Sequence, residues 1–149
     1  MSSFLTDGRA ALIAALRSDA TIARRVRTFF DSGPGVRRRR TLSPAACPVL
    51  GVSPAGAAVS ATANVEREVV QTLQVEVATD GQDAAPCEEL VALVMARVEA
   101  CDESGLGLTA SGLADVRTRS VTWSALPDPG AARVIWTAGV EVELLWRMI

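Results

Sequence analysis

The chain has 149 residues, of which 49% are hydrophobic and 21% charged, and its 15 basic and 17 acidic side chains leave a net charge of −2. Such a composition suits one folded domain with one contiguous core and excludes a disordered chain. The balance of charge also excludes the global positive field of a dedicated nucleic-acid binder, so any contact with a polyanion is local.

In chain order, the first periodic segment runs from about Thr6 to Thr21. Leu5, Leu12, Ile13 and Leu16 fall near one helical face, with Ala10, Ala11, Ala14 and Ala15 filling the rest. Thr6 or Asp7 is suited to cap its start, and the alanines predict close packing against another surface. Residues 22–42 form a basic excursion. Arg24, Arg25 and Arg27 are followed by Arg37, Arg38, Arg39 and Arg40, with the turn Asp31-Ser32-Gly33-Pro34-Gly35 between them. Val26, Phe29 and Phe30 supply apolar anchors, and the pattern suits an irregular or hairpin-like path better than a continued helix. Four consecutive arginines suit a solvated face or loop, or contact with an acidic partner or phosphates.

A short apolar run, Cys47-Pro48-Val49-Leu50-Gly51-Val52, reads as a buried or edge strand. Residues 54–64, PAGAAVSATAN, have the composition of a flexible surface loop. From Glu66 to Thr79 the period is two: Val69, Gln71, Leu73, Val75 and Val77 share one face, and Val70, Thr72, Gln74 and Glu76 the other. After Asp80-Gly81 comes a helix from about Ala85 to Asp102, with Pro86 in its first turn and Leu90, Leu93, Val94 and Val98 on one stripe.

The glycine-broken connector ESGLGLTASG leads to a polar strand, Leu113 to Ser124, in which Asp115, Arg117 and Arg119 alternate with Val116, Thr118 and Ser120. That polarity predicts an exposed or interface position. Beyond the rigid turn at 126–130, Ala132 to Arg147 is the strongest strand. Val134, Trp136, Ala138, Val140, Val142, Leu144 and Trp146 lie on one face, and Arg133, Thr137, Glu141, Glu143 and Arg147 on the other. At ~3.3 Å per residue it extends about 50 Å, so it is expected to bend, twist strongly or protrude. The fold class is therefore α+β, one domain over 1–149, with a mainly antiparallel sheet of about four to six strands flanked by two helices.

No apolar run approaches the ~20 residues that cross a bilayer. The start, MSSFLTDGRAALIAAL, lacks a basic stretch ahead of an uninterrupted apolar core, so a soluble, unsecreted protein without membrane contact is expected. Histidine and tyrosine are absent, which removes the usual near-neutral proton carrier. Cys47, Cys87 and Cys101 fit no zinc spacing and read as small buried hydrophobes. Glu141 and Glu143, on one strand face, suit an acid pair or a magnesium site, but alternating charges on a solvated face are the plainer reading. Gly33-Pro34-Gly35 and Gly105-Leu106-Gly107 lack the context of a phosphate loop. No catalytic set, metal site or cofactor is expected.

Two stretches carry a family likeness. In REVVQTLQVEVATDGQDAAPCEELVALVMARVEACDESGLGL a strand ends in a polar turn and enters a helix closed by a glycine-rich link, and RVIWTAGVEVELLWRM is the long final strand. Together with the order of elements over most of the chain, they resemble the tail terminator and tail-completion proteins of long-tailed bacteriophages. The resemblance implies a non-enzymatic virion protein made in the host cytoplasm. Such a subunit forms a homohexameric ring at the head-proximal end of the tail, caps the tail tube, stops its polymerisation and joins it to the head-side connector, with DNA passing through the lumen. Its partners would be its own copies, the tail tube protein and the head–tail connector protein. In such a ring, Arg37, Arg38, Arg39 and Arg40 and the strand bearing Asp115, Arg117 and Arg119 would meet acidic neighbours such as Glu88, Glu89, Glu141 or Glu143. Two other readings are a head-closure or connector ring protein of the neck, and a nucleic-acid-binding module that uses Arg24 to Arg40 with Phe29 and Phe30 as stacking groups.

Overall fold

The computed structural model describes residues 3–30, 46–62, 66–101, 106–127 and 134–148. Helix α1 (Phe4–Ser18) starts at Ser3, whose side chain accepts from the Thr6 amide at 3.1 Å, so the cap lies three residues before the expected Thr6. It ends earlier than expected because Asp19 turns the chain. The Asp19 carboxylate accepts from the amides of Thr21 and Ile22 and starts a separate short helix, α2 (Ala20–Arg25).

The chain then enters β1 (Thr28–Phe30), which pairs in parallel with the start of β2 (Val49–Thr62). The parallel pairing excludes a hairpin between these two segments. The remainder of the basic excursion, including Arg37, Arg38, Arg39 and Arg40, lies outside the described residues.

Residues 54–62 belong to β2, against the expectation of a loop. They pair with β3 (Glu66–Gly81) from Val49↔Ala78 through Thr62↔Glu66, with one irregularity between Pro54 and Gly56. Small residues with little strand preference are held extended here because β3 supplies the ladder, and strand preference yields to such a context. Residues 63 and 64 of the expected loop are not among the described ones.

Helix α3 (Ala85–Ala100) follows β3, with Pro86 in its first turn as expected. A single 3-10 turn (Thr109–Ser111) delivers the chain to β4 (Leu113–Pro127), and β5 (Val134–Met148) completes the sheet in the order β1-β2-β3-β5-β4. At the entry to β4, Gly112 has φ +102° and its carbonyl accepts from the Arg147 amide at 2.8 Å. A Cβ there would stand 2.5 Å from the Arg147 carbonyl oxygen, so both the conformation and the close approach call for glycine.

The fold is thus α+β with a five-stranded mixed sheet, antiparallel except for β1, and three α-helices rather than two. Strand β5 does not stand alone. It pairs with β3 along Val134–Met148 and with β4 along Val134–Trp146, so three neighbouring strands share its length.

The helices pack on one face. Leu12, Ile13 and Leu16 of α1, Ile22 of α2 and Leu90, Val94 and Val98 of α3 bury against Leu73 and Val75 of β3 and Val140, Val142, Leu144 and Trp146 of β5. Each such side chain contributes roughly 1.5–3 kcal/mol. The alanine-rich α1 approaches closely, and at Gly8 an added Cβ would fall 2.7 Å from the Gln71 amide oxygen and 2.9 Å from atoms of Leu144 and Trp146. Gln71, an amide on the apolar face of β3, is paired on both sides. Trp146 Nε1 donates to Gln71 Oε1 at 3.0 Å, and Gln71 Nε2 donates to the Leu5 carbonyl at 2.8 Å. This bridge ties α1 to the two central strands inside the core. A smaller apolar cluster of Cys47, Val49 and Ala78, with Phe30 and Ile135 against it, lies at the start of β2.

Candidate interaction surface

The polar alternation of β4 predicts an exposed or interface position, and the sheet order puts β4 at an edge. Its charged residues bind their own neighbour strand. Arg117 Nε donates to Glu143 Oε1 at 3.0 Å, and Arg119 Nη1 reaches both Glu143 oxygens at 3.3 and 3.4 Å. The Glu143 side chain is 8% exposed, whereas the two arginines are 58% and 62% exposed. A buried carboxylate therefore anchors two guanidiniums whose outer edges remain in solvent. Arg117 is directly opposite Glu143, and the irregularity between Thr118 and Ser120 brings Arg119 to the same carboxylate.

Glu141 accepts from Ser120 Oγ at 2.9 Å. Glu141 and Glu143 do share a face, but the guanidiniums on Glu143 occupy the oxygens that a cation would need. Asp115 accepts from the adjacent Val116 amide at 2.9 Å. Of the acidic residues expected to meet a neighbour, Glu89 is paired within the chain, with Arg25 at 2.8 Å, while Glu88 is exposed beside a cleft. The structure accordingly brings Arg117, Arg119, Glu141 and Glu143 together on one face, sets Asp115 at the start of β4, and gives no position for the Arg37–Arg40 run.

Phe29 and Phe30, the stacking groups of the nucleic-acid reading, are both half-buried and pack on different clusters. Phe29 packs on the main core under the Arg17 guanidinium, 5.3 Å from its ring centroid, and Phe30 packs on the smaller cluster. Arg24 and Arg25 close the last turn of α2, where cations complement the helix dipole.

The thiols are buried. Burial, with a smaller effect from the negative charge of Asp80, pushes Cys47 up from 9.0 to about 11. Cys87 is also raised, chiefly by burial. Neither is a nucleophile at neutral pH. Among the described residues, no group of three or more histidine, cysteine or acidic side chains is placed to hold a metal ion, and no helix is long and apolar enough to cross a membrane.

One surface feature escaped the sequence reading. Trp123, on the strand read only for its charges, is 52% exposed and borders a cleft of about 520 Å³ with Trp136, Cys87, Glu88 and Ala125. Its signal was the alternation itself, since Val121 and Trp123 hold the apolar positions of β4 opposite Val140 and Ala138.

No family model matches the chain, and no curated protein matches it. Among solved structures, the chain is similar to one described as belonging to the virion of a native gene transfer agent particle. The TM-score is 0.54 and the identity 18%, over 95% of this chain and 98% of that one. At this identity the likeness defines a shared fold from end to end.

Proposed function

We propose that the chain is a structural virion protein: a tail terminator whose copies form a six-membered ring on the last ring of the tail tube, stop its growth and present a surface to the head-side connector. The end-to-end likeness in fold to a chain of the gene transfer agent virion carries the virion part of this reading. Two features support it. The element order and the long final strand resemble the tail terminator family, and the long edge strand β4 turns paired but solvent-facing arginines outward, as a wet contact between subunits does. DNA crosses the lumen of such a ring without being read in sequence.

Tube assembly tests the reading. Tail tube protein polymerising in the presence of this chain is expected to stop, with the chain bound at one end of each tube. Tubes that grow to the same lengths with and without it, with no end-bound protein, contradict a terminator. Binding to the head-side connector with no effect on tube length instead selects a connector ring protein of the neck.

A further inference from the structure

We infer that copies of this chain join head to tail by seating the far end of β2 of one copy in the Trp123–Trp136 cleft of the next. Among the described residues, the large hydrophobic side chains left exposed are Val59, at 68%, and Trp123, at 52%. Val59 lies on a run of small exposed residues from Gly56 to Ser60. It stands opposite Val69, which pairs with Trp146, whereas Trp123 stands opposite Ala138. Both therefore point to the helix-bearing side of the sheet, at diagonally opposite corners. Three strand spacings of ~4.8 Å and eight residues of ~3.4 Å separate them by roughly 30 Å, so Val59 is out of reach of its own cleft.

The cleft is shaped and charged for that occupant. Two indole rings and Ala125 line its wall, and Glu88 stands at its rim with exposed Asp83 close by in sequence. On that side of the sheet the arm carries the opposite sign, since Glu68, on the other side, pairs with Arg147. Exposed Arg67 lies opposite Ala61 on the same side of the sheet as Val59, while the neighbouring Glu66 points to the other side. A slim apolar arm with a cation meets an aromatic cleft with an anion. Because arm and cleft are different patches, the contact is heterologous and builds a ring when its rotation closes. Tryptophan in a cleft is the usual anchor of such a contact. The inference deepens the ring reading by naming its subunit interface and rests on that reading.

The test uses the full chain with p-benzoylphenylalanine in place of Val59. A mixture of ordinary and heavy-isotope protein is irradiated at its highest soluble concentration, and the adducts are mapped by mass spectrometry. Mixed-isotope adducts are expected on the peptides holding Trp123 and Ala84–Glu88. Their yield should fall roughly tenfold or more with Trp123→Ala. It should also fall with Glu88→Arg and recover when Arg67→Glu is added. Both positions are exposed, and an unchanged melting temperature confirms that each variant is folded. Adducts on other surfaces, indifference to Trp123→Ala, or no mixed-isotope adduct overturns the contact. A ring seen at tail ends with adducts elsewhere refutes the arm and cleft alone; mapped adducts with no ring at tail ends refute the ring alone.

Discussion

At position 71 a glutamine stands where the alternation of β3 calls for an apolar side chain, and its two hydrogen bonds are what make it tolerable there. Replacing it with leucine keeps the volume but strands the Trp146 N–H and the Leu5 carbonyl. At roughly 1–3 kcal/mol per orphaned group, Gln71→Leu is expected to cost about 2–6 kcal/mol in denaturant unfolding, whereas an unchanged midpoint would show that the bridge does not stabilise the core. The alternation placed residue 71 on the inner face correctly; its partner, 75 residues away, was invisible because a local pattern carries no information about which distant strand lies beside it. The thiols give a second prediction. The chain has no lysine, tyrosine or histidine, so cysteines are the side chains that titrate between about pH 8 and 11. The folded Cys47 thiol titrates at about 11 against 9.0 when unfolded. The unfolded chain thus loses its proton first, and the stability it contributes is whole below pH 9 and is lost as pH rises through about 11. Unfolding midpoints measured across that window should fall, and Cys47→Ala should flatten the decline; a flat profile in the unaltered protein would contradict it.

At the scale of elements, the strongly periodic segments were legible and the weakly periodic one was not. Strand β3, helix α3, the polar strand β4 and β5 lie within a few residues of their expected ends because their sequence period is strong, although burial runs through both faces of β3 at 75–79 and of β5 at 137–140 and 142–144. The far half of β2 was missed because alanine, glycine and serine have no period to read, and a fourteen-residue strand is held there by its partner's ladder. The second helix was missed for the opposite reason: Asp19, inside the segment expected to run unbroken to Thr21, restarts the chain as a cap. The charges of β4 were read as reaching toward another subunit, yet Arg117 and Arg119 first satisfy Glu143. Since both arginines are more than half exposed, a double-mutant cycle of Arg117→Ala with Glu143→Gln should return a coupling of no more than about 1 kcal/mol. A coupling several times larger would mean that the pair is sealed from solvent.

At the scale of the whole molecule, a five-stranded sheet carries its helices on one face, and four of its strands run 14–16 residues. Strands of that length demand mutual support, which β2, β3, β4 and β5 give one another, and they carry unlike patches to distant corners of one small chain. The candidate site was partly legible. Its charged residues were named from their spacing, but Trp123 acquires meaning only when α3 and β5 are seen beside it, and the arginine run lies outside the described residues. Electron microscopy of assembled tails is the direct test of the proposal that this domain is a ring subunit capping a tail tube. A ring of six copies on the last tube ring, at the end that meets the head, is the predicted result; the protein's absence from that end, or its presence there as a single copy, would contradict it.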